Sequence, residues 1–208
     1  MIATPTLKDV FNQYEMEQHA IECIVLAPKF HSQAYSEFIQ RIGYINIRSG
    51  ESINFYCAGY GAYIPESEVY DLEKLPYGRE YEGVFIPWTF SASSFGEFVN
   101  ELESVTNWEY SGRTEIIVLG RESIFKDCII LKIEEMVNDE VVSSPSEVIE
   151  MIIRASKDKT LGKMITENVE KISGEMIADS LLAVLPKPFE KLSKAWNKGR
   201  HYAIINLQ

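Results

Sequence analysis

Ala20-Ile21-Glu22-Cys23-Ile24-Val25-Leu26-Ala27 is nearly continuous in apolar residues and closes on Pro28. A strand with one wet face alternates apolar and polar residues, whereas a strand covered on both faces need not. The octet therefore predicts a central strand sandwiched between other elements. Upstream, Thr6 opens a helix in which Leu7, Val10, Phe11 and Tyr14 recur at three- and four-residue steps, with Asp9 near the positive helix end. Downstream, Gln33 to Ile42 predicts a second helix, with Tyr35, Phe38, Ile39 and Ile42 on one face and Gly43 as its stop.

Beyond Gly43, Tyr44 to Arg48 and Ile53 to Cys57 are expected as two strands of a hairpin around Ser49-Gly50, with Ile45, Ile47, Ile53, Phe55 and Cys57 on one side. Periodicity then disappears from Ala58 to Glu80, where Gly59, Gly61, Pro65, Pro76 and Gly78 punctuate a run holding Tyr60, Tyr63, Tyr70 and Tyr77. So long a loop is either functional or hides a short element such as Ser67 to Leu72, and it is the first candidate for a binding loop. Tyr81 to Trp88 predicts a strand, with Pro87 at its end or on an edge. Ser94 and Glu97 have capping-box spacing before a helix striped by Phe95, Phe98, Val99, Leu102 and Val105.

Thr114 to Leu119 and Phe125 to about Glu134 are further strands, and Ser144-Pro145-Ser146-Glu147 announces a helix running to about Ser156. Past the junction Lys157 to Thr160, a longer helix is expected until Pro186 and Pro188. A shorter one then carries Phe189, Leu192 and Trp196 among lysines, and Tyr202 to Leu207 can add a last strand. The order of elements predicts a mixed α+β (α/β) fold with a central mixed sheet of about 5–7 strands flanked by helices. Residues 1–156 form this core, and residues 157–208 form a helical segment packed on it.

The 208 residues carry a formal charge of -11, unevenly spread: residues 1–153 hold 10 basic and 25 acidic groups, residues 154–208 hold 10 and 6. So acidic a body repels phosphate, which argues against nucleic acid as its partner. The basic C-terminal part is expected to lie against the acidic body of the same molecule or of a second copy, with residues 187–208 as a possible self-association arm. Met1 to Leu7 lacks a basic and an apolar leader region, and no apolar run approaches the roughly 18 residues that span a bilayer. A cytoplasmic, bacterial-type globular protein is the expectation. Cys23, Cys57 and Cys128 each sit in a separate apolar run, as buried thiols do, and share no close spacing with His19, His31 or His201.

Residues 55–110 concentrate 14 of the 24 aromatic side chains, and ten Asp/Glu against two Lys/Arg. Gly59-Tyr60-Gly61 follows a strand but lacks the third glycine, the Gly-Lys-Ser/Thr and the following helix of a phosphate loop, so a turn is expected there. Glu97 and Glu101 stand one helical turn apart, a spacing that serves acid and base roles or a solvated face. No helix offers the histidine spacing of a metal site, and no cofactor is implied. The segment from Trp108 to Glu115 is the densest mixture of recognition-prone residues, with Arg113 and Glu115 two apart at a strand start.

These features point to a non-enzymatic binding protein, an accessory, regulatory or immunity-type subunit, whose acidic and aromatic surface engages a protein partner. Tyr60, Tyr63, Tyr77, Trp88, Trp108 and Tyr110 are the expected anchors, beside Arg113 and Glu115. The alternative is an enzyme or sensor that stacks a nucleotide-like or sugar ligand on the same rings in a pocket.

Overall fold

A computed structural model describes residues 2–4, 6–16, 21–30, 32–61, 78–119, 125, 128–138, 140, 142–157 and 203–205. The element expected at Ser67 to Leu72, the candidate anchors Tyr63 and Tyr77, the three histidines, the helices expected beyond Lys157 and the arm 187–202 lie outside them. Strands β1 (Ile2–Thr4), β2 (Ile21–Leu26) and β3 (Ile53–Ala58) are joined through helix α1 (Leu7–Met16) and through α2 (Ser32–Phe38), a 3₁₀ turn (Ile39–Arg41) and α3 (Ile42–Ser49). The short β4 (Tyr60–Gly61) is followed by β5 (Gly78–Tyr81), β6 (Val84–Pro87), β7 (Thr89–Phe90) and α4 (Ala92–Val105). Last come β8 (Glu115–Val118), β9 (Ile129–Lys132), α5 (Ile133–Asn138), α6 (Pro145–Lys157) and β10 (Ala203–Ile205).

The fold is mixed α+β. Its centre is the four-strand run β3-β2-β8-β9, edged by the three-residue strands β1 and β10. Strands β1, β3 and β2 are parallel, and each pairing from β2 onward, through β8 and β9 to β10, is antiparallel. All six residues of β2 are buried, as are all six of β3 and all four of β8. Alternate residues then divide between two cores. Cys23, Val25, Phe55, Ile116 and Leu131 meet α2, α3, α5 and α6, whereas Ile24, Leu26, Tyr56, Ile117 and Ile130 meet α1 and α4. The uninterrupted apolar octet reflects this double covering. All three cysteines are free and buried, and burial pushes the Cys57 thiol up to about 12.

Helix starts follow local chemistry. Asp9 Oδ2 accepts from Thr6 Oγ1 at 2.6 Å and from its N–H at 3.3 Å, while the Asp9 N–H returns to Thr6 Oγ1 at 3.3 Å, a reciprocal box that opens α1. At α6 the Glu147 carboxylate reaches past Ser144 to accept from the N–H and hydroxyl of Ser143, both at 2.8 Å. Helix α4 begins earlier than its Ser94/Glu97 spacing suggests. Ser91 is the cap, its hydroxyl accepting from the Ser94 N–H at 3.1 Å.

Three expected elements differ. The hairpin strand expected at Tyr44 to Arg48 is helix α3, and Gly43 lies within that helix instead of ending α2. Ile39, Ile42, Ile45 and Ser49 are buried at steps of three and four, while Ile47, the supposed strand partner of Ile45, is 81% exposed. The stop is Gly50, at φ 55°. The strand expected from Tyr81 to Trp88 is the hairpin β5-β6, which turns at Glu82 (φ 49°) and Gly83 (φ 78°), a positive pair matching the strand twist. The last strand before the C-terminal helices ends at Lys132, because Ile133 and Met136 bury at helical spacing in α5.

Two glycines separate these environments. Gly59 has φ 76°, and a Cβ there would stand 2.7 Å from the Phe95 Cβ, whereas a Cβ on Gly43 meets nothing within 4 Å. We expect Gly59→Ala to lower stability by about 2 kcal/mol or more through strain and overlap. Gly43→Ala, by contrast, should be neutral or raise stability by up to about 1 kcal/mol, as in a helix interior. Urea titrations of both variants check the pair, and marked destabilisation by Gly43→Ala would contradict a helix across 42–49.

Candidate functional site

The parallel strands β2 and β3 end at Leu26 and Ala58, beside the start of β8 at Glu115 and the end of β9 at Lys132. The carboxyl ends of parallel strands are where α/β sheets present loops to ligands. Here the chain places a continuous aromatic cluster. Tyr60 contacts Phe90 with ring centroids 5.0 Å apart, Phe90 contacts Phe95 at 5.9 Å, Phe95 contacts Tyr110 at 5.6 Å, and Tyr110 contacts Trp108 at 5.8 Å. Phe30 lies edge-on to Phe90 at 6.1 Å and to Phe95 at 6.5 Å, and it is 65% exposed.

Local hydrogen bonds hold the cluster. Gly59 O accepts from the Ser91 N–H at 2.9 Å, joining the end of β3 to the cap of α4. The Tyr60 hydroxyl donates to Ala27 O at 2.7 Å, and burial pushes its pKa up. The turn expected over Gly59-Tyr60-Gly61 is confined to Gly59, which lies against Phe95 of α4, while Tyr60 and Gly61 form β4 and pair with Phe90 and Thr89 of β7. Glu103 Oε1 accepts from the Tyr110 N–H at 2.7 Å, and Trp108 Nε1 donates to Glu115 Oε2 at 3.1 Å.

Glu115 is 1% exposed and faces the α1/α4 core, in register with Lys132 of β9. Burial raises its carboxyl above the ordinary value, against the lowering pull of Ser111, Trp108 and the Lys132 charge. The Tyr110 phenol is raised too, first by burial and then by the charges of Glu115 and Glu134. Its hydroxyl oxygen is buried with no hydrogen-bond partner among the described residues.

Of the anchors expected from sequence, Tyr60, Tyr110, Trp108 and Glu115 fall in or against this cluster, but their exposure differs from the expectation. Tyr60 is 1% exposed, Trp88 4% and Trp108 5%, so these rings fill the interior. Tyr110 is partly buried. Arg113 is exposed on the bend before β8, whereas Glu115 is held inward by Trp108. Among the described phenylalanines, Phe30 and Phe85 face outward, the latter 57% exposed on the β5-β6 hairpin, its ring over Gly78. Both were missed. Phe30 carried one usable sign, its place just after the end of a parallel strand.

Glu97 and Glu101 do not act as a pair. Glu101 Oε2 accepts from the Leu7 N–H at 3.2 Å and so helps cap α1, while Glu97 is exposed. Among the described residues no group of three or more His, Cys, Asp or Glu could hold a metal ion, and no helix is long and apolar enough to cross a membrane. No protein-family model, curated protein or solved structure matches the chain. Function is therefore argued from this geometry alone.

The sign of the Glu115 effect is checkable. A carboxyl whose folded pKa is raised favours folding fully below its unfolded value, about 4.3, and loses that contribution as pH rises through the folded value. Glu115→Gln keeps an acceptor for Trp108 and removes the charge. It should raise stability at pH 7 by roughly 1 kcal/mol, the scale of one poorly matched buried polar group, and its advantage over wild type should vanish near pH 4. Chemical denaturation at both pH values measures this, and a destabilised variant at pH 7 would show that the buried charge is compensated.

Proposed function

We propose that the protein is a non-enzymatic, cytosolic binding protein, an accessory, regulatory or immunity-type subunit that engages a basic protein partner. One observation carries the reading. An exposed phenylalanine, Phe30, is seated on Phe90 and Phe95 of the aromatic cluster, and the stretch 80–110 that supplies those two rings and Tyr110 also carries the exposed Glu80, Glu82, Glu97 and Glu109. Rigid rings with one open face give contact area at low entropic cost, and acidic surroundings steer a basic partner and set register.

The platform and the contact are divided between residues. Tyr60, Trp108 and Tyr110 hold Phe90 and Phe95 in place, and these in turn support Phe30. Phe85 is the second anchor, cross-strand from the exposed Glu80 and near the turn that carries the exposed Glu82, and Glu97 and Glu109 supply further exposed carboxylates on α4 and the loop after it. Exposed rings backed by other rings offer contact area to a protein surface, whereas a small ligand needs convergent polar groups in a concavity. The cleft of about 250 Å³ in this structure lies elsewhere, between α3 and α6, and none of the cluster rings lines it.

The test uses exposed positions, where truncation leaves the fold intact. Wild type and a Phe30→Ser, Phe85→Ser double variant, matched in thermal melting, are used to capture partners from the native host. One stoichiometric basic protein should be retained by wild type, be lost with the double variant, and elute as salt is raised. Retention by the double variant would overturn the assignment. Absence of any protein, with a small molecule released on denaturing wild type, would replace it with the ligand reading.

A further inference from the structure

A cleft of about 250 Å³ separates the α2-α3 run from α6 on the outer side of the other helical layer. Ile45 and Ile149 form its floor, and Tyr44, 56% exposed, forms a wall. The charged groups along it are Glu37, Arg41, Glu150 and Arg154. They are not equivalent.

Both carboxylates are occupied. Glu37 Oε2 accepts from the Ser146 N–H at 3.2 Å and from its hydroxyl at 3.0 Å. Burial pulls this carboxyl up, yet the hydrogen bonds from Ser146, Gln33 and Ser144 outweigh it and hold it below the ordinary value. Glu150 accepts from Arg48 Nη2 at 2.8 Å and from the Tyr44 hydroxyl at 3.3 Å, and Arg48 holds it low as well. Lys157 Nζ is turned toward Arg48 O.

The guanidinium groups of Arg41 and Arg154 are different. Both are exposed, and among the described residues neither has a hydrogen bond or ion pair; Arg154 acts on Glu150 through charge alone. Two planar forks flank an apolar floor on a body whose first 153 residues hold 25 acidic groups against 10 basic ones.

We propose that this cleft is a second binding site, which takes an acidic peptide segment of a protein partner. Arg41 and Arg154 would each accept a carboxylate, the geometry a guanidinium fork matches best. An apolar side chain between the two acids would lie against Tyr44 and over Ile45 and Ile149. A cleft of this size holds one or two side chains of a bound segment. A long nucleic acid is disfavoured because the net charge of -11 repels every phosphate of its backbone, whereas a short peptide brings only the few carboxylates that the two forks can engage. This site does not depend on the Phe30 surface, and its ligand has the opposite charge.

The probe is a fluorescein-labelled, end-capped six-residue peptide of alternating glutamate and leucine, with a lysine-and-leucine peptide as control, read by anisotropy against the full chain. Wild type should saturate with the glutamate peptide and not with the lysine peptide. Arg41→Glu and Arg154→Glu should each weaken binding about tenfold, and together about a hundredfold. Arg154→Lys should fall between wild type and Arg154→Glu, because charge remains and the fork is lost. Thermal melting confirms that these surface variants stay folded. Failure of wild type to saturate at roughly 1 mM peptide, the range of the weakest specific contacts, would overturn the proposal, as would equal binding by the double variant. Sedimentation at the same concentrations covers the remaining occupant. Self-association that the double variant abolishes and the peptide does not compete for would assign the cleft to a second copy instead.

Discussion

Strand β2 has water on neither face, and much of the architecture follows from that constraint. Its residues alternate between two apolar compartments, so each strand neighbour must be apolar on both faces too, and each compartment must be roofed by helices. Burying one large aliphatic side chain is worth about 1.5–3 kcal/mol, and Ile24, Val25 and Leu26 are at most 1% exposed. The helical run α2-α3 and the pair α5-α6 close one side, and α1 with α4 closes the other. Among the polar side chains admitted to this interior are Glu22, Asn54 and Glu115, of which Glu115 takes the indole N–H of Trp108 on one carboxylate oxygen.

The aromatic richness of residues 55–110 divides between this interior and the surface. Tyr56, Tyr60, Trp88, Phe98 and Trp108 are spent on the cores, where Tyr60 donates to Ala27 O at 2.7 Å and Trp108 to Glu115 at 3.1 Å. An aromatic ring that is sealed inside can still serve recognition by fixing an outer ring in one orientation, which is how the platform under Phe30 contributes to the proposed surface. The carboxylates follow the same division. Glu101 and Glu103 accept backbone N–H groups of Leu7 and Tyr110, and Glu80, Glu82, Glu97 and Glu109 are exposed. The two proposed sites thus differ in sign: exposed carboxylates of the stretch 80–110 with Phe30 and Phe85, and, between α3 and α6, two arginines that no described residue engages by hydrogen bond or ion pair.

The sequence was a good guide wherever a physical signal is confined to a few neighbouring residues. Thr6 with Asp9, Ser144 with Pro145 and Glu147, and the unbroken run of β2 each carry their own cause, and the elements stand where those signals put them. It misled where two periodicities fit one short stretch. Ile45 and Ile47 alternate like a strand, while Ile42, Ile45 and Ser49 step like a helix, and the packing of this segment on the core selects the second. At β9, Ile133 continues an apolar run that reads as more strand, and only the burial of Met136 one turn later reveals α5.

Composition and local pattern by themselves determined the acidic character, the mixed α+β class, the doubly covered central strand and the starts of α1, α2 and α6, because each depends on residue type and near-neighbour spacing. Only the tertiary structure decided which rings face outward and which carboxylates and guanidinium groups are already engaged. Exposure and pairing depend on residues far apart in the chain, as between Arg48 and Glu150 or Phe30 and Phe95, and such contacts leave no local trace.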